Sequence, residues 1–121
     1  YSIAGTHDMY KPLPVNETAR SFYTVIRAFA AVNDVAVPDA PDLEVNEWFG
    51  VKFADLRTGE LGGIRAMTGT FSSDRDAVMK FVALDPYGHW NFKPAAADMW
   101  AFLSRFRRDL TTGKLQVVGG R

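Results

Sequence analysis

Apolar residues recur along this chain with two different periods, and their alternation predicts an order of strand, helix, strands, helix. At the start, Ser2, Ile3 and Ala4 read as a short strand that runs out into Gly5-Thr6-His7-Asp8. Downstream, Phe22, Val25, Ile26 and Phe29 fall at i, i+3, i+4 and i+7, the stripe of a helix with one face on a core. Pro14 and Asn16 supply its start signals and Asn33-Asp34 its stop, while Arg20, Thr24 and Arg27 point elsewhere. Prolines and aspartates break any period over 35–43, which reads as an irregular surface loop. Three strand-like runs follow at 47–56, 62–71 and 77–84. Turn-rich connections at Arg57-Thr58-Gly59-Glu60 and Ser72-Ser73-Asp74-Arg75-Asp76 make them an antiparallel meander. A second helix is expected over 94–109, with Met99, Phe102, Leu103 and Phe106 repeating the helical spacing. Pro94 sits in its first turn, where the missing N–H costs nothing, and Gly113 lies beyond its end. Arg105, Arg107 and Arg108 then form the charged last turn, complementing the helix dipole. The stretch 111–121 reads as a weakly held extension.

Composition narrows the classes of function. A chain of 121 residues with 47% hydrophobic content supports one core and is too short for two ordinary domains. Fourteen basic residues balance fourteen acidic ones, so neither nucleic acid nor an anionic membrane is an expected partner. The absence of cysteine excludes disulfides, a thiolate nucleophile and a cysteine-based zinc site. No apolar run approaches the ~20 residues that cross a bilayer. The first residues lack the order of a signal peptide. A chain opening directly on a strand leads to the expectation that an upstream segment is missing.

Two loops carry candidate chemistry. Gly88-His89-Trp90 lies between a strand-like run and a helix, and a histidine held there is placed to act as a general base. At the other end of the chain, Asp8 follows a strand and precedes a helix in the same way. A carboxylate bonded to one ring nitrogen of an imidazole fixes its tautomer and stabilises the imidazolium formed in the transition state.

With the acid before the histidine, each leaving a strand and followed by an amphipathic helix, the chain resembles the C-terminal half of an α/β-hydrolase. The branches it is similar to are the esterases of the polyhydroxybutyrate-depolymerase-like and feruloyl-esterase-like kinds. The resemblance covers about residues 1–34 and 77–110, with 35–76 as an insertion-like loop and hairpin and 111–121 as a tail. It implies an α/β fold with an antiparallel excursion, and the same elements taken alone also describe a small α+β domain. By the resemblance, Asp8 is the triad acid and His89 the base. Trp90 and Tyr10 border a small acyl or aryl ester substrate, such as a hydroxycinnamoyl or hydroxyalkanoate ester, and neither cofactor nor metal is needed. The family's G-x-S-x-G nucleophile motif is missing. Ser21 lies in the first helix, Ser72 and Ser73 in a turn without a glycine frame, and Ser2 and Ser104 in the wrong context. The implied partner is therefore an N-terminal half or companion chain that carries the nucleophilic serine.

The same residues have plainer readings. Asp8 is of a type that caps its own turn, His89 can be a satisfied loop or core histidine, and Trp48, Phe49, Trp90 and Phe92 can fill a core. Tyr10 and Lys11 can be exposed loop residues. His7, Asp8 and His89 are metal-ligating types without a local ligand spacing. A function class of its own follows from these readings: a non-catalytic α+β module that binds a ligand or partner through its aromatic residues.

Overall fold

The two halves of the chain meet in one mixed sheet. The computed structural model describes residues 1–7, 15–72, 78–88 and 91–118. Its elements in chain order are β1 (Ser2–His7), α1 (Val15–Val32), β2 (Asp55–Leu61), β3 (Ile64–Ser72), β4 (Val78–Gly88), α2 (Pro94–Leu103), β5 (Phe106–Arg108) and β6 (Leu115–Val117). The main sheet has the order β1-β4-β3-β2, and β5-β6 form a separate two-stranded sheet. β2, β3 and β4 run antiparallel, as the meander requires, and β4 returns parallel to β1. The protein is thus a small α+β protein with a mixed sheet and, among the described residues, two helices.

Alternate positions of β4 divide the core in two. Met79, Phe81 and Ala83 face a cluster with Phe22, Tyr23 and Ile26 of α1 and with Trp48, Phe49, Val51, Phe53 and Phe71. Its rings interlock edge to face: Phe22 on Phe49 at 5.1 Å, Phe49 on Phe53 at 5.0 Å, and Phe71 on Phe81 at 6.2 Å between centroids. Gly69 is required beneath them, because a Cβ there would lie 2.5 Å from the Phe53 ring. On the opposite face, Val82 and Leu84 join Ala66 and half-buried Tyr1, Ile3, Leu61, Ile64, Tyr87 and Phe92. α2 is tied to this second face by Asp98, which accepts from Lys80 Nζ at 2.7 Å and from the Tyr1 hydroxyl at 2.5 Å.

α1 buries a stripe turned slightly from the expected one. Phe22, Tyr23, Ile26 and Ala30 are buried, whereas Val25 and Phe29 are exposed. The helix ends where anticipated. Asp34 takes the left-handed conformation (φ 54°), and Val35 N–H donates back to the Ala30 carbonyl at 2.9 Å, closing the terminus.

Four other expectations are corrected. The run 47–56 is not a strand before Asp55. Its apolar alternation is satisfied by an irregular loop, in which Asn46 Oδ1 accepts from the N–H groups of Trp48 and Phe49 and Asp42 Oδ1 from those of Glu44 and Val45. Such side-chain acceptors compete directly with a sheet ladder. The stretch 57–60, expected as a turn, lies within β2. The chain reverses instead at Gly62-Gly63, both at positive φ, between paired Leu61 and Ile64. The second helix stops at Leu103, so Arg107 and Arg108 belong to β5 and no arginine occupies a last helical turn. Phe106 still reaches Phe102, at 5.2 Å between centroids, but from a strand. Part of the supposed tail forms β6. Gly113 serves the β5–β6 turn, where Asp109 Oδ1 accepts from Thr111 and Thr112 N–H groups.

Candidate functional site

Asp8, Tyr10, His89 and Trp90 lie outside the described residues, and what the structure gives is the frame that leads into them. β1 ends at His7 and β4 at Gly88, and these two residues are partners across the parallel pair. The chain therefore continues into Asp8 and into His89 from adjoining strand ends at one edge of the sheet. In open sheets with parallel strands, that carboxyl edge is where ligands bind.

The pairing is irregular just before this edge. Partners run regularly from Ser2↔Phe81 to Gly5↔Leu84 and then jump to His7↔Gly88. Thr6 alone on β1 therefore spans Asp85, Pro86 and Tyr87 on β4. The bulge folds the Tyr87 carbonyl over Gly5, whose position admits no side chain: a Cβ would lie 2.0 Å from that oxygen. Across the bulge, the Thr6 hydroxyl donates to Asp85 Oδ1 at 2.6 Å. Asp85 also accepts from Arg65, its partner on β3, and the Arg65 guanidinium lies 4.9 Å from the centroid of the Trp48 ring. Burial pushes the Asp85 carboxyl up. The Thr6 and Arg65 hydrogen bonds, with the charges of Arg65 and His7, outweigh that and hold it below its ordinary value.

An ionised Asp85 can only accept, so the Thr6 proton is directed to it. Thr6 Oγ1 also lies 3.1 Å from His7 Nδ1. With the hydroxyl proton so used, that contact has the ring N–H donating to the threonine oxygen, which puts a proton on His7 Nδ1 whether the imidazole is neutral or charged.

Beside the same edge, on the α2 face, is a cavity of about 560 Å³ lined by Gly5, Leu84, Tyr87, Gly88, Phe92 and Ala95 among others. Its volume suits a small organic group. Tyr87 and Phe92 meet edge to face at 5.0 Å across part of its lining. Trp48 and Phe49, by contrast, are buried in the α1-side core, so packing is their role. A second depression, about 530 Å³, lies over β2 and β3 and includes the charged side chains of Lys80, Asp98 and Arg105 in its walls.

Among the described residues, no group of three His, Asp or Glu side chains could hold a metal ion. No helix among them is long and apolar enough to cross a membrane. Sequence reasoning missed Asp85, Arg65 and Thr6. Thr6 lay inside a quoted motif, and the Asp85-Pro86 step four residues before His89 was the available signal. No family model, no curated protein and no solved structure matches this chain.

Proposed function

We propose that this chain is the C-terminal portion of an α/β-hydrolase-type carboxylic ester hydrolase, supplying the acid and the histidine of a Ser-His-Asp triad. Asp8 is the acid that orients the imidazole. His89 is the base that takes the proton of a serine hydroxyl, and that serine comes from an N-terminal half or a companion chain. The observation that supports this reading is the parallel β1–β4 pair with His7 opposite Gly88, the residues that directly precede Asp8 and His89 in the chain. The adjoining cavity supports a small acyl or aryl ester as substrate, and Trp90 and Tyr10 are the residues proposed to contact it. His89 would hold the transferred proton on one ring nitrogen while Asp8 stabilises the charge through the other, then return it to the leaving alcohol.

The test uses the native full-length polypeptide or complex. A fluorophosphonate should label a serine outside these residues, and p-nitrophenyl butyrate should be hydrolysed. His89→Ala should lower both rates by about 10³-fold or more, and Asp8→Asn should lower kcat by about 10²- to 10⁴-fold. Wild-type rates in His89→Ala, or no ester turnover in the native species, overturns the reading.

A further inference from the structure

The Thr6–Asp85–Arg65 chain sits where the register of β1 against β4 breaks. Between Gly5↔Leu84 and His7↔Gly88 the ladder steps over one residue of β1 and three of β4, one of them Pro86. Proline has no N–H to give a ladder. Side chains tie the two strand ends across that step: Thr6 reaches from β1 to Asp85 on β4, and Asp85 is gripped from β3 by Arg65. Thr6, Asp85 and Arg65 follow the alternation of Ala4, Ala83 and Met67, so all three cap the aromatic cluster on the α1 face. The Trp48 ring beneath Arg65 anchors the guanidinium to that rigid base.

We infer that Asp85, acting through Thr6, is a positioning residue for ester hydrolysis, setting the separation at which the chain enters Asp8 and His89. The inference rests on the function proposed above. A threonine 7% exposed and hydrogen-bonded to an ionised carboxylate forms a short, stiff tie, since a charge-assisted O–H···O⁻ bond is both shorter and stronger than a neutral one. Removing it leaves the strand ends beyond the step held by the His7↔Gly88 pair without the side-chain brace, so that their separation loosens, while the apolar core and the Arg65 contact stay in place. A slide of about 1 Å in the relative position of acid and base is enough to cost ~10²-fold in rate. The same tie holds His7 in its Nδ1-protonated form, which gives a readout independent of turnover.

The experiment compares wild type, Thr6→Val, Thr6→Ser and Asp85→Asn in the native full-length polypeptide or complex. Steady-state hydrolysis of p-nitrophenyl butyrate is measured together with ¹⁵N chemical shifts of the His7 ring. Thr6→Val keeps the shape and the strand preference of threonine and removes only the hydroxyl. It should lower kcat about ten- to a hundredfold with KM unchanged, and Asp85→Asn should do likewise. Thr6→Ser, which keeps the hydroxyl, should recover most of the rate. In wild type the His7 signals should report a proton on Nδ1, and Thr6→Val should abolish that preference. Unchanged kcat in Thr6→Val and Asp85→Asn, in an enzyme that does hydrolyse the ester, overturns this inference alone. A fall in Thr6→Ser equal to that in Thr6→Val also overturns it, because the hydroxyl would then not be the operative group. If wild type hydrolyses no ester, the function reading falls and takes the inference with it.

Discussion

The two faces of the main sheet are built on different principles. The α1 face is closed by interlocking phenylalanine rings, with Phe49, Ile26 and Val51 fully buried. The α2 face has a small cluster of Ala66, Val82 and Leu84, a partly buried ion pair, and a cavity at the carboxyl edge. One face supplies rigidity and the other supplies space. The site proposed at that edge would draw on both, since the Thr6–Asp85–Arg65 tie stands on the closed face while the room for a ligand lies on the open one.

That contrast can be broken most severely from the closed side. Phe81→Ala removes a ring that touches Phe29, Phe53 and Phe71 and should cost about 3–5 kcal/mol in urea unfolding. Leu84→Ala on the open face should cost about 2–3 kcal/mol, because its surroundings border a cavity and can relax. Equal losses at the two positions would mean the faces are equally tight. Gly5→Ala should destabilise by about 1–3 kcal/mol, since the new methyl meets the Tyr87 backbone rather than a movable side chain.

The ion pair on the open face sharpens the comparison further. Lys80→Met leaves Asp98 with the Tyr1 hydroxyl and some water, and should cost about 1–2 kcal/mol, less than a fully buried pair. Burial pushes the Asp98 carboxyl up, but the hydrogen bonds from Lys80 and Tyr1 and the Lys80 charge outweigh it and hold it below its ordinary value. A depressed carboxyl contributes stability that is fully present above its unfolded value and is lost as pH falls through its folded value. The stability gap between wild type and Asp98→Asn should therefore persist at neutral pH and close on acidification below about 4, as followed by urea titration at each pH. The smallest effect is expected at the sheet margin. A methyl group added at Gly59 would meet nothing within 4 Å, so Gly59→Thr should stabilise by about 0.5 kcal/mol through strand preference.

How much of this was legible in the sequence depended on which interaction decided each segment. α1 and the β3–β4 pair were readable because periodic burial decides them, as at Phe22 and Ile26 or along Met79, Phe81 and Ala83, whereas β2, exposed along all but its last residue, carries no such period and was expected too early in the chain. The loop through Trp48 and Phe49 was not, since it is decided by the Asn46 and Asp42 side chains accepting from backbone N–H groups, which periodicity does not register. Phe106 misled for a related reason: its spacing from Phe102 is helical, yet a turn at Ser104 and the Asp109 hairpin bring it to the same neighbour from β5. At the candidate site, the order of Asp8 and His89 was readable along the chain. The Thr6–Asp85–Arg65 tie joins three strands, and only the register brings those residues together.

The placement of β1 has a consequence for how the molecule is assembled in time. β2, β3 and β4 are neighbours in sequence, whereas Ser2 pairs with Phe81, a closure of roughly 80 residues that costs entropy before any contact repays it. The hairpins should therefore gain protection first and β1 dock last, so that in pulse-labelled refolding the β1 amides are the final ones shielded from exchange. Early protection of β1 would contradict this order. Because the docking of β1 is also the event that sets His7 opposite Gly88, the last step of folding is also the one that brings together the two strand ends on which the proposed site depends.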